Sequence, residues 1–303
     1  MIKYNFVYPV FYKFMSSTSF TKKIYRLIAN KVGDYLRVRR RISIDEERKI
    51  VHFMKEFCDI KKGDRFLELG TGWFHRYSSF VRIFYDIEII LYDVWDNRQF
   101  NALKHYINSL PSLFNDEEKK NKDKSIDIIS KINSIHSFDE YYSYMGFNYV
   151  INKNDNLSPF SENSFSIIFS CEVFEHINSN KLSVSNYIKD IYRILKPGGY
   201  SIQTIDIGDH LHWLDRKQTH LKEYLRFSDI FWKRYFDSDI KYINRVQKSE
   251  WLNLFNNAGF RLIYQSQKDC EIDSLKINKN YKKFSVDDLK CYTLYIVHQK
   301  PFK

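Results

Sequence analysis

Cysteine is scarce in this chain of 303 residues. Cys58, Cys171, Cys270 and Cys291 are the only four, they lie far apart, and no two form a C-x-x-C pair. That excludes a redox or zinc-binding thiol pair and fits a reducing compartment with buried, free thiols. Long apolar runs are missing too, since no stretch approaches the roughly 20 residues needed to cross a bilayer. The first fifteen residues carry Lys3 and Lys13 among aromatics and lack a small-residue cleavage site, so no secretory signal is read. A cytoplasmic protein is expected. No His/Cys/acid spacing matches a strict metal pattern, and no metal is assigned. Nor is there a recognisable RNA-binding module, which disfavours nucleic acid as a partner.

Aromatics are abundant, with 23 Tyr and 25 Phe, and large rings give much buried area per residue. Lys and Arg number 48 against 37 Asp and Glu, a formal charge of +11. Such a balance admits phosphate-bearing substrates, anionic membrane or nucleic acid without choosing among them.

Residues 1–60 read as a helical extension. Phe6, Val7, Tyr8, Val10, Phe11 and Phe14 precede Lys22, Lys23, Arg26 and Arg37 to Arg41. Aromatics beside clustered bases suit a helix at the inner membrane surface. The favoured expectation is instead that they pack on the main domain, because Gly33, Asp34 and Tyr35 interrupt the basic run. Ser43 with Glu46 predicts a capping box opening a helix that buries Ile50, Val51, Phe53, Met54 and Phe57.

The organising stretch is Asp64-Arg65-Phe66-Leu67-Glu68-Leu69-Gly70-Thr71-Gly72-Trp73. It predicts a buried strand, Arg65 to Leu69, running into a glycine turn where backbone can take φ > 0 and a ligand can approach closely. A helix over 77–85 and a strand ending at Asp93 follow. A carboxylate at that strand tip is where a doubly wound fold grips a ribose diol. Residues 97–148 exceed a βα connection and read as a lid-like helical insertion, with helices over 99–110 and 126–144 about a charged, mobile segment at 115–124. Strands are predicted near 149–152, 165–171, 200–207, 260–264 and 292–298, and helices over 185–195 and 251–258. Pro197 should stop the first of those helices and Gly198-Gly199 turn the chain.

This pattern resembles the class I S-adenosylmethionine-dependent methyltransferases. The residues carrying the likeness are Glu68-x-Gly70-x-Gly72, Asp93, Pro159-Phe160 with Ser164-Phe165, Glu175-His176, the run Tyr192 to Tyr200, and Ala258-Gly259-Phe260. They cover roughly 64–96, 149–207 and 250–298. The resemblance implies an α/β, Rossmann-like sheet of seven strands, mostly parallel with the last antiparallel, and helices on both faces. It makes 61–303 the methyltransferase domain. Gly70-Thr71-Gly72-Trp73, with Tyr224 to Ser228 and Asn244 to Val246, is similar to a subgroup that includes surface-glycan methyltransferases. One departure is Phe74, standing where many members have a third glycine. A dinucleotide dehydrogenase is the rival, but its third fingerprint glycine is His75 here and Trp73-Phe74 would crowd a diphosphate.

The resemblance implies that Gly70, Thr71, Gly72 and Trp73 line the methionyl and ribose part of S-adenosylmethionine, with Glu68 near its amino group. Asp93 would hold the ribose hydroxyls and Val94 lie beside the adenine. Asn154 or Asp155 would contact the adenine amine, and Cys171 and Glu172 would border the methionine moiety. A hydroxyl acceptor also needs a base. Candidates are His176, Asp206, Asp209, His210 and His212, with Asp215 and His220 further on; Asp209-His210-x-His212 could instead bind a metal that orients sugar hydroxyls. The leading expectation is O-methylation of a sugar or glycan intermediate. A quinone or lipid methyltransferase, an RNA methyltransferase, and a non-catalytic binding protein on the same fold stay open beside it.

Overall fold

The computed structural model describes residues 7–154, 156–177, 183–217, 219–238, 240 and 242–302. Among them are the helices α1 (Val7–Met15), α2 (Ser19–Arg37), α3 (Asp45–Phe57), α4 (Arg76–Phe84), α5 (Phe100–Leu113), α6 (Lys122–Ser134), α7 (Phe138–Met145), α8 (Val184–Ile194), α9 (Asp229–Tyr235), α10 (Lys248–Asn257) and α11 (Val286–Lys290). The strands are β1 (Arg65–Leu69), β2 (Glu88–Asp93), β3 (Phe147–Ile151), β4 (Phe165–Cys171), β5 (Leu195–Asp206), β6 (Arg261–Asp269) and β7 (Cys291–Gln299).

The seven strands form one sheet in the order β3-β2-β1-β4-β5-β7-β6. β1 pairs in parallel with β2 and β4, and β2 with β3. β7 runs against β5, as Gly198 N–H to Lys300 O at 2.8 Å and Ile207 N–H to Tyr292 O at 2.7 Å require. Strands covered on both faces need apolar side chains throughout. Phe66, Leu67 and Leu69 of β1 and Phe165, Ile168 and Phe169 of β4 are accordingly fully buried. β6, at the edge, is largely polar and half-buried, which discourages further pairing.

By contact density the chain divides into two units. One comprises 27–170, 193–202 and 299–303; the other 1–26, 171–192 and 203–298. In the first, β1 lies between β2 and β4, the place where a doubly wound sheet puts its ligand crevice. In the second, Tyr224, Phe227, Trp232, Phe236 and Tyr281 pack with Leu225, Ile243 and Leu289 into an aromatic core.

Several local expectations are corrected. No capping box opens α3: its N-cap is Ile44, and the Ser43 hydroxyl donates to Asp45 Oδ2 at 2.6 Å. Burial of Ile44 sets the boundary instead. The helix expected over 126–144 is two, separated where the Ser137 side chain accepts the Glu140 N–H and caps α7. Lys196 to Gly199 do not leave the sheet; they belong to β5, with Gly198 at φ +79. The segment 115–120 does not hang free. Arg48 of α3 makes a bidentate pair with buried Glu118 at 2.7 and 2.8 Å, and Lys55 reaches Glu117 at 3.0 Å.

The N-terminal aromatics do not, for the most part, pack inward. Tyr12 is buried, but α2 buries no residue at all. Val10, Phe11, Phe14, Phe20, Leu27, Ile28, Val32, Tyr35 and Leu36 are exposed. No helix among the described residues is long and apolar enough to cross a membrane.

Candidate functional site

The first unit builds its site on the turn after β1. Gly70 and Gly72 both take φ +64, the left-handed region that glycine enters without cost. A Cβ on Gly72 would meet nothing nearer than Gly70 O at 4.0 Å, so open space lies before the turn. Gly70 and Thr71 donate their N–H groups to Tyr92 O at 2.8 and 3.3 Å, which ties the turn to β2.

Asp93, at the tip of β2, is buried and accepts three backbone N–H groups. They come from Gly72 at 3.0 Å, Val94 at 2.7 Å and Trp95 at 3.2 Å. Burial pushes its carboxyl above the ordinary value, against those donors. A carboxylate offers about four lone-pair sites, so one stays available for a hydroxyl. Glu68 is fully buried. Its Oε2 accepts both the N–H of Ser78, at 3.1 Å, and the Ser78 hydroxyl, within the first turn of α4. Desolvation raises its pKa to about 8.

Behind the turn, Phe74 stacks toward Tyr106 with centroids 5.5 Å apart, so its side chain leaves the crevice clear. His75, at φ +50, is buried and bonds Tyr142 Oη through Nε2 at 2.7 Å. Burial lowers its pKa to about 3 and keeps it neutral. Trp73 is 45% exposed beneath the Arg37 guanidinium, 3.6 Å from the ring centroid. Arg37 also donates to Gln99 Oε1 at 2.8 Å, and Asp34 accepts the Ala102 N–H at 2.9 Å. One face of α2 thus braces the turn. Asn154 sits in an exposed turn with its N–H on Asn152 Oδ1; Asp155 lies outside the described residues.

The second unit holds the acid and histidine groups. Glu172, just past β4, takes φ +57 and donates its N–H to Thr204 O at 2.9 Å, while Cys171 is buried. The 3₁₀ turn Phe174–His176 follows, anchored by Phe174 against Tyr187, Trp251 and Phe255. Asn244 clamps it, donating from Nδ2 to Phe174 O at 2.8 Å and from its backbone to Glu175 O at 2.9 Å. His176 donates from Nδ1 to Tyr242 O at 2.7 Å. Its ring lies 4.8 Å from that of His210, whose Nε2 is 3.3 Å from Asp206 Oδ2. Burial raises the Asp206 carboxyl, but His210 and the Gly208 N–H outweigh it and hold the group below its ordinary value.

The structure therefore brings His176, Asp206 and His210 together and leaves Asp209 and His212 out. Asp209 is buried and caps the next 3₁₀ turn through the Leu211 N–H at 3.0 Å. His212 bonds Thr219 O at 2.7 Å and His220 bonds Glu271 O at 2.7 Å, both backbone anchors. Glu175, which sequence reading passed over as a site residue, joins the group. It is 3% exposed, and neither carboxylate oxygen has a hydrogen-bond partner. Its position beside His176 was the available signal.

The sequence from residue 39 to 265 matches a family model described as a methyltransferase domain. The chain belongs to that family. S-adenosylmethionine is the methyl donor of this methyltransferase. The crevice residues suit it: the buried Thr71 Oγ1 has no partner, the glycine backbone is open, and Asp93 keeps an acceptor site at the strand tip. Among curated protein sequences none matches significantly. Solved structures similar to it include YcgJ from Bacillus subtilis, 13% identical over 84% of this chain and 99% of that one, with a TM-score of 0.47. Phosphoethanolamine N-methyltransferase 2 of Haemonchus contortus, in complex with S-adenosylmethionine, is another, 16% identical over 84% of this chain and 52% of that one, at 0.47.

Proposed function

We propose that this methyltransferase transfers the methyl group to a hydroxyl oxygen of a sugar or glycan intermediate. Gly70, Thr71, Gly72 and Trp73 would hold the amino-acid and ribose portions of the donor, Asp93 its diol, and Val94 and Asn154 or Asp155 the adenine. Cys171 and Glu172 would border the reacting end.

A sulfonium methyl is already activated, so the protein's task is to align the acceptor, worth ~7–11 kcal/mol in favourable cases. A neutral hydroxyl must also lose a proton. The observation that carries the reading is the Asp206–His210 pair with His176 beside it. Asp206 holds the Nε2 side of His210, leaving Nδ1 to accept the hydroxyl proton. Such a base contributes typically ~10²–10⁴-fold. An amine that reacts through its neutral lone pair needs no such pair.

The exposed apolar residues of α1 and of α2 support a lipid-linked acceptor, with a quinone or lipid as the second reading. Phe14, Phe20, Leu27, Ile28, Val32 and Tyr35 are exposed, as are Lys23, Lys31, Arg39, Arg40 and Arg41. Apolar rings with bases suit an anionic bilayer surface.

Transfer of labelled methyl to nucleotide-linked sugars, lipid-linked glycans, quinols and amines tests the reading. Ether formation on a sugar, reduced about 100-fold or more by His210→Ala with cofactor affinity kept, is the expected result. Methylation of nitrogen alone, or of no sugar, would refute it.

A further inference from the structure

Glu175 is a carboxylate placed where a carboxylate is costly. It is 3% exposed and neither side-chain oxygen meets a hydrogen-bond partner. A buried acid without partners either takes a proton or awaits a cation. What it faces decides between these. His176 Nε2 stands 3.9 Å from Glu175 Oε1, and one ligand atom each from Glu175, His176 and His210 lie within 4.8 Å of one another.

We propose that Glu175, His176 and His210 form a site for a divalent transition-metal ion. The surroundings fit the role. His176 gives its Nδ1–H to Tyr242 O, which leaves Nε2 as the lone-pair nitrogen facing the acid. His210 has Nε2 against Asp206, which leaves Nδ1. A ligating imidazole whose other nitrogen is held by a carbonyl or carboxylate is the usual arrangement around a bound metal. Two imidazoles and one carboxylate favour borderline ions such as Mn²⁺, Co²⁺ and Zn²⁺ over Mg²⁺ or Ca²⁺. Bonds of ~2.0–2.2 Å would draw the three atoms closer than they now stand. The His176 ring, 45% exposed, can pivot about its bond to Tyr242 O, while Glu175 is fixed by the clamped turn. This set differs from Asp209-His210-x-His212, because Asp209 and His212 are committed to the backbone.

The assignment deepens the O-methylation reading and rests on it for its purpose. An ion at this place would bind the acceptor hydroxyl and lower its pKa, with the proton released to water. With the ion bound His210 serves as its ligand, and its role as base belongs to the ion-free site.

The test uses tag-free, full-length protein and the metal alone. Titration with Co²⁺, followed by visible d–d absorption and calorimetry, should saturate at one ion. Glu175→Gln and His210→Ala should each abolish the signal, and His212→Ala should leave it unchanged. S-adenosylmethionine affinity, measured on the same samples, reports folding and the cofactor assignment separately. Absence of Co²⁺ and Mn²⁺ binding by wild-type protein that still binds the cofactor would overturn the metal site and leave the methyltransferase reading standing. Unchanged binding by both variants would overturn it equally.

Discussion

The carboxylate of Asp93 accepts the backbone N–H of Gly72 at 3.0 Å, joining the tip of β2 to the turn that follows β1. One acid therefore shapes the glycine turn and keeps one acceptor position open. Hydrogen bonds to a charged group are worth ~1.5–3 kcal/mol. Asp93→Ala should weaken S-adenosylmethionine binding roughly 10- to 100-fold by calorimetry. Equal affinity would remove Asp93 from the site.

Glu68 predicts a pH dependence of stability in the ligand-free protein. Its pKa is raised from 4.5 to about 8 by burial, so over that interval the folded state holds a proton the unfolded chain has lost. Its contribution is full below about 4.5, declines as pH climbs towards 8, and is flat above. The slope approaches about 1.4 kcal/mol per pH unit. Glu68→Gln should flatten that part of the denaturation profile. A parallel profile would refute the assignment.

Lys222 acts in the opposite direction at higher pH. It is fully buried, donates from Nζ to Cys291 O at 2.8 Å and Ile207 O at 3.2 Å, and burial lowers its pKa from 10.5 to about 8. Between those values the unfolded chain binds the extra proton, so stability rises from about pH 8 to 10.5. Lys222→Met should lose this rise in urea melts. It should also be less stable at the alkaline end, where it leaves two carbonyls without their donor.

Arg76, opening α4, meets fully buried Glu47 of α3 through two hydrogen bonds of 2.6 Å. Removing one member of a buried pair strands the other, at ~3–5 kcal/mol. Arg76 is 31% exposed, so Glu47→Ala should fall near the lower end of that range in a chemical melt. A loss under about 1 kcal/mol would place the pair among ordinary surface bridges.

Full-length protein should sediment with anionic liposomes and not with neutral ones. Phe20→Ser combined with Ile28→Ser should release it, and so should raised salt. Failure of the wild-type protein to sediment would end the membrane assignment.

The core of the fold was legible because its signals are local. β1 and β4 are short, mainly apolar stretches with the residue bounds expected for them, and a glycine pair directly after β1 fixes the turn. Elsewhere distant contacts decided. Ser43 looked like an N-cap, yet burial of Ile44 moved the start of α3. Asp209, His210 and His212 look equivalent in sequence. A 3₁₀ turn sends successive side chains about 120° apart, and only His210 meets Asp206. Glu175 was hidden by its neighbour: a histidine after a strand draws attention, while the isolation of an acid shows only in three dimensions. The exposure of α2 was not legible because Gly33, Asp34 and Tyr35 interrupt its basic run and leave no clean amphipathic pattern.

Helix α2 has two occupations on its length from Leu27 to Arg37. Arg37 and Asp34 grip Trp73, Gln99 and Ala102, while Leu27, Ile28, Val32 and Tyr35 look outward. Adsorption through that outward face would fix the height and tilt of the glycine turn above the lipid headgroups. Catalysis would then proceed in two dimensions, its rate governed by acceptors per unit area of membrane and not by their concentration in the bulk.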